Sequence, residues 1–70
     1  MRIRVSEPEH VVELRDVLRR AGCIAVQTGP DTLQVTIPEA LSVEQERREL
    51  AVYVGTWAAA RDVEAELLDD

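Results

Sequence analysis

Seventy residues carry 14 acidic and 8 basic side chains, a formal net charge of -6 with the single histidine neutral. That length allows one small domain over residues 1–70, since domains usually run to ~100–150 residues and a ~60-residue one is marginal. The clustered positive charge that begins phosphate-backbone binding is missing, which argues against nucleic acid as a partner.

Hydrophobic residues at 46% and charged residues at 31% make a globular balance, not a disordered one. The acidity sits late in the chain, because residues 41–70 alone carry a net -5. Every cation is an arginine, and without lysine no Schiff-base chemistry is open to the chain. A lone cysteine, Cys23, cannot close an internal disulfide. The longest uncharged stretch, residues 50–60, falls well short of the ~20 residues that span a bilayer. Acidic residues interrupt the N-terminal region before any apolar run of signal-peptide length. These features read as a soluble, cytoplasmic protein with no membrane contact.

Ile3 and Val5 alternate with Arg2 and Arg4, which predicts a strand over 1–5 with one wet face. Ser6 and Glu9 have capping-box spacing, and Pro8 suits a first helical turn, so a helix is expected over 7–21. Val11, Leu14, Val17, Leu18 and Ala21 form its apolar stripe, and Gly22 ends it. Two β-rich runs at 23–28 and 32–37 flank Gly29-Pro30-Asp31, the pattern of an antiparallel hairpin. In the second run Leu33, Val35 and Ile37 share one face; in the first, the pattern does not say which face is buried.

Ser42 with Gln45 repeats the capping box and opens a helix over 43–60, with Val43, Leu50, Tyr53, Val54 and Trp57 as its core stripe. Its other side is smooth, carrying Ala51, Gly55, Ala58 and Ala59. The tail allows two readings. Val63, Ala65 and Leu67 alternate with Glu64 and Glu66 as in a strand over 62–68, yet no glycine or proline marks a turn near 61. The alternative is a βαββα chain whose second helix continues through the tail.

With the strand, the order is βαββαβ, an α+β fold that resembles the ferredoxin-like superfold, the split βαβ pair, at the level of element order alone. The resemblance implies an antiparallel four-stranded sheet in the order 4-1-3-2 with both helices on one face. Arg2 and Arg4 would then lie beside Glu64 and Glu66 on the open face as an opposite-charge ladder. That face would be polar and free of aromatics, which excludes RNA recognition by base stacking.

No catalytic constellation is present, so the chain reads as a non-enzyme with no cofactor and no bound metal. His10 stands at the edge of the first helix's stripe with Glu7 and Glu13 three residues to either side. Those three side chains make a weak polar site, short of the ligand set that zinc takes. Tyr53 and Trp57 at i,i+4 read as core. The second strand, Cys23, Ile24, Ala25, Val26, Gln27 and Thr28, would form a sheet edge with no charge, proline or bulge to guard it. That edge and the smooth Ala51/Gly55/Ala58/Ala59 surface are candidate interfaces. The expected function is a small non-catalytic protein-interaction module, a homodimer or an accessory subunit of another protein. A second reading is a small-molecule sensor similar in architecture to ACT domains, with its ligand near the loop after the first strand. A third is a minimal enzyme or metal protein centred on His10.

Overall fold

The computed structural model describes residues 1–68, so the last two positions of the expected domain lie outside the described residues. The chain runs β1 (Arg2–Val5), a single 3-10 turn (Pro8–His10), α1 (Val11–Arg20), β2 (Ile24–Gln27), β3 (Thr32–Thr36), α2 (Val43–Arg61) and β4 (Ala65–Leu68). All strand pairings are antiparallel and the sheet order is β2-β3-β1-β4. This is the expected 4-1-3-2 order read from the other edge. It is an α+β fold compatible with ferredoxin-like topology, and the continuous-helix alternative is overturned.

Period-two patterning sets the layers. Ile3 and Val5 of β1 and Leu33 and Val35 of β3 are fully buried beneath the helices, joined by Val11, Leu14 and Leu18 of α1. From α2, Leu50, Val54, Trp57 and Ala58 complete the core. Burying side chains of this size contributes on the order of 1.5–3 kcal/mol each, the main driving force for so short a chain.

The expected stripe of α2 is corrected at two positions. Val43 and Tyr53 are exposed, Tyr53 by 45%. A 19-residue helix is roughly 28 Å long, whereas a strand of four residues spans only ~13 Å. The extra length leaves Val43 exposed in the first turn of α2, although Glu46 of the same turn still accepts from Ile37 N at 3.0 Å. Tyr53 is rotated off the buried line of Leu50, Val54 and Trp57, toward the groove that α2 forms with Val17 of α1.

The caps differ from expectation at one end. Ser42 accepts from Gln45 N at 3.1 Å, and Gln45 Oε1 accepts from Leu41 N at 3.0 Å, so α2 is capped as the spacing requires. Ser6 does not cap. Its hydroxyl accepts from Glu64 N at 3.1 Å and its own N–H donates to Glu64 O at 2.8 Å, while Pro8–His10 forms a 3-10 turn with no side-chain cap. The serine is spent on pinning the start of β4 to the end of β1.

Both helices close on the same device. Cys23 N bonds Leu18 O and Gly22 N bonds Arg19 O across Gly22, which has φ 94°. Val63 N bonds Ala58 O and Asp62 N bonds Ala59 O across Asp62, which has φ 56°. Each pair is a Schellman closure with its central residue in the left-handed region. Asp62 makes the turn that frees β4.

Candidate functional site

Two places bring chemically distinctive groups together. The first joins the start of α1 to the end of α2. Arg61 Nε donates to Glu13 Oε1 at 2.7 Å, and His10 Nδ1 lies 3.3 Å from that same oxygen. The Arg61 guanidinium carbon stands 5.3 Å from the centre of the Trp57 ring, and His10 meets that ring edge-on at 6.2 Å. Helical spacing explains both contacts: His10 and Glu13 are i,i+3 on one side of α1, and Trp57 and Arg61 are i,i+4 on α2.

The hydrogen bond from Arg61 holds the Glu13 carboxyl below the usual carboxylate range, with a smaller push the same way from His10. Glu13 in return raises Arg61 further. Trp57 is 4% exposed and its Nε1 finds no hydrogen-bond partner among the described residues. The cluster therefore clasps the helices and the edge of a buried indole.

This cluster revises the expected polar site. His10 and Glu13 do meet, but Glu7 joins through its backbone alone, accepting from His10 N at 3.0 Å. Among the described residues no group of three or more His, Cys, Asp or Glu side chains is placed to hold a metal ion. Arg61 and Trp57 complete the cluster, and the sequence reading missed both, having placed Trp57 in the core alone.

The clasp has a pH signature. A carboxyl whose pKa is lowered by folding stabilises the fold above its unfolded value, and that contribution is lost as pH falls through the lower folded value. Glu13→Gln is expected to destabilise the protein near neutral pH, with the gap to wild type closing in acid. Urea unfolding at pH 6 and pH 3 reads this; a gap of constant size would mean that the ion pair contributes nothing.

The second place is the β2 edge. Within the β2–β3 hairpin Thr28 N donates to Thr32 O, so the hydrogen-bonded pairs alternate as Thr28–Thr32, Val26–Gln34 and Ile24–Thr36. Ala25 and Gln27 consequently turn their N–H and C=O groups outward, away from the sheet. Ala25 is 1% exposed and Cys23 is buried, with Ala21 and with Glu49 and Tyr53 of α2 beside it, whereas Ile24 is 56% and Val26 51% exposed on the opposite face. The open face is therefore not uniformly polar. It carries two neighbouring aliphatic side chains at its β2 end.

That edge is also not bare. Arg19 Nε, from the last turn of α1, donates to Ala25 O at 3.0 Å. Val12 lies seven residues before Arg19, hence on the same side of α1, and is 44% exposed. Gln27 and Thr28 are exposed, with Gln27 Nε2 bonded to Gly29 O and Thr28 Oγ1 to Thr32 Oγ1. Burial raises the Cys23 thiol pKa, and Glu49 and Glu46 push the same way, so it is no activated nucleophile.

The other edge differs. Ser6 N donates to Glu64 O, which makes Arg4–Glu66 and Arg2–Leu68 the hydrogen-bonded pairs of β1 and β4. Of the expected ladder, Arg4 does face Glu66, whereas the residue opposite Arg2 is Leu68, and Glu64 stands beyond, beside Ser6. Ala65 and Leu67 turn their backbone groups outward here. A shallow depression of ≈520 Å³ runs along this side, lined by Ser6, Ala59, Val63 and Glu64 among others. The smooth stripe is split, since Ala51, Gly55 and Ala59 are exposed but Ala58 is 92% buried, being 8% exposed.

Among the described residues no helix is long and apolar enough to cross a membrane. No family model, curated protein or solved structure matches the chain.

Proposed function

We propose that this protein is a ferredoxin-like, non-catalytic interaction module that docks through the β2 edge, its partner being a second copy of itself. One observation carries the reading: Ile24 and Val26 stand side by side and half-exposed on an edge strand whose intervening backbone groups face outward. A soluble domain gains little from two adjacent β-branched aliphatics in water unless a partner covers them.

Antiparallel pairing of two β2 strands about Ala25 sets Ile24 against Val26 of the second copy, twice, on the open face. Ala25 exchanges both backbone bonds with its counterpart, and Val12 comes to face the second α1 on the helical side. No charged side chain lies within β2 to oppose its copy. The β4 edge lacks this property. A two-fold pairing of β4 through its outward groups, Ala65 with Leu67, places Glu66 directly against Glu66, and like charges opposite one another destabilise a sheet. In this register self-association favours β2.

Val26→Lys tests the reading. Val26 is half-exposed in the single chain, so the fold is expected to persist with a melting temperature within a few degrees of wild type. The dimer dissociation constant, read by sedimentation equilibrium, is expected to weaken by more than tenfold, lysine being an effective guard of strand edges. A wild-type protein that stays monomeric into the high micromolar range, or a lysine variant that dimerises as tightly as wild type, overturns it.

A further inference from the structure

We infer that Arg19 is a latch on the β2 edge that sets how readily the edge pairs. The inference rests on the self-pairing just proposed and adds what controls it. The carbonyl held by Arg19 is that of Ala25, the residue about which two β2 strands would meet. In the single chain this oxygen faces outward from the edge, flanked by the exposed Ile24 and Val26. Arg19 satisfies it at 3.0 Å with a charged donor, a stronger bond than a neutral one.

The two arrangements compete for the same space. A paired strand lies ~4.8 Å from β2 and its N–H would need the Ala25 oxygen that the Arg19 guanidinium already occupies at 3.0 Å. Pairing therefore requires Arg19 to leave. Its exposed position at the end of α1 lets it leave by side-chain rotation alone, without disturbing Val11, Leu14 or Leu18 of the same helix, all of which are buried. Cys23 is not freed in the same way, because its N–H is committed to Leu18 O at 3.0 Å. The pairing then relies on the mutual bonds of Ala25 and on the Gln27 N–H reaching the second copy's Cys23 carbonyl. Since Ala25 supplies both central bonds, its carbonyl is where a guard has most effect. A latched edge keeps dilute chains apart, and association begins where concentration or a competing acceptor draws Arg19 away.

Sedimentation equilibrium on wild type, Arg19→Met, Val26→Lys and the double variant tests this, with Arg19→Gln as a second removal of the latch should methionine impair folding. Methionine keeps the length and helix propensity of arginine but offers no donor. The Arg19→Met dimer is expected to be about tenfold tighter than wild type, and the double variant to fall back to the weak association of Val26→Lys. Slower hydrogen exchange at the Ala25 amide as Arg19→Met is concentrated is the accompanying signature. If Val26→Lys weakens the dimer but neither Arg19 variant tightens it, the latch is wrong and the docking surface stands. If every variant is monomeric across the range, the docking surface falls and the latch with it. Tightening by Arg19→Met that Val26→Lys fails to reverse places association elsewhere and overturns both.

Discussion

Trp57→Ala is expected to cost about 3–5 kcal/mol, the usual range for emptying a buried tryptophan site. A 70-residue domain has roughly 4–10 kcal/mol of total stability, so the variant stands at or past the edge of unfolding at room temperature. The site cannot easily collapse, because the indole is 4% exposed and is held from both sides, by His10 at its edge and by Arg61 over its face. Trp57→Phe separates packing from polarity. Phenylalanine gives up about 1 kcal/mol of apolar burial, but it also removes a buried N–H that has no acceptor among the described residues, a group whose burial costs about 1–3 kcal/mol. The two terms nearly cancel, so this variant is expected within about 1 kcal/mol of wild type. Guanidinium unfolding followed by far-ultraviolet circular dichroism is the measurement, since Trp57 is the only tryptophan and its fluorescence is lost in both variants. A Trp57→Phe loss as large as that of Trp57→Ala would mean that the indole N–H is worth keeping where it is.

Much of this architecture was legible in the amino-acid order, and the places where it was not have separate physical causes. Leu33 and Val35 alternate with polar neighbours, so only one face of β3 could be buried. Cys23-Ile24-Ala25-Val26 is apolar on both faces, and there alternation carries no information. The decision belongs to the helix layer, which needs a low surface along this strand. The small Ala25 and Cys23 provide it, and the bulkier Ile24 and Val26 are turned out. The turn into β4 was obscured for another reason. The left-handed residue that ends α2 is Asp62, one of the few non-glycine types that tolerate that conformation, so no glycine announced it. Ser6 misled by having capping-box spacing while its hydroxyl serves a strand 58 residues away.

The candidate sites were legible only in part, because arginine reaches far. Glu13 and His10 could be placed on one face of α1 by counting. Their partner Arg61 lies 48 residues from Glu13, and nothing local in the sequence links them. Helical counting places Arg19 only as a cation in the last turn of α1, suited to the helix dipole. Its contact with Ala25 six residues on depends on Gly22 folding the chain back beneath α1, a tertiary consequence that no periodic count contains.

Leu67→Asp is expected to be the second severe substitution, at about 3 kcal/mol, while Leu68→Asp, one residue later, is expected within about 1 kcal/mol of wild type. Leu67 packs against the core and faces Ile3, which is fully buried. The alternation fixed by Ser6 and Glu64 makes Ile3–Leu67 a non-hydrogen-bonded pair, the kind in which facing side chains lie closest. A carboxylate there has an aliphatic partner and no donor. Leu68 lies on the open face opposite Arg2, away from the core that Leu67 packs against. Because β4 joins the sheet on one side only, the Leu67→Asp penalty has a ceiling: the strand can peel away while β2, β3 and β1 stay paired. Hydrogen exchange distinguishes peeling from global unfolding. Peeling exposes the Arg4 and Glu66 amides while that of Leu33, inside the β3–β1 ladder, stays protected; global unfolding releases all three together. Equal penalties for the two aspartates would mean that β4 does not hold this register, and the edge comparison that favours β2 over β4 would lose its basis.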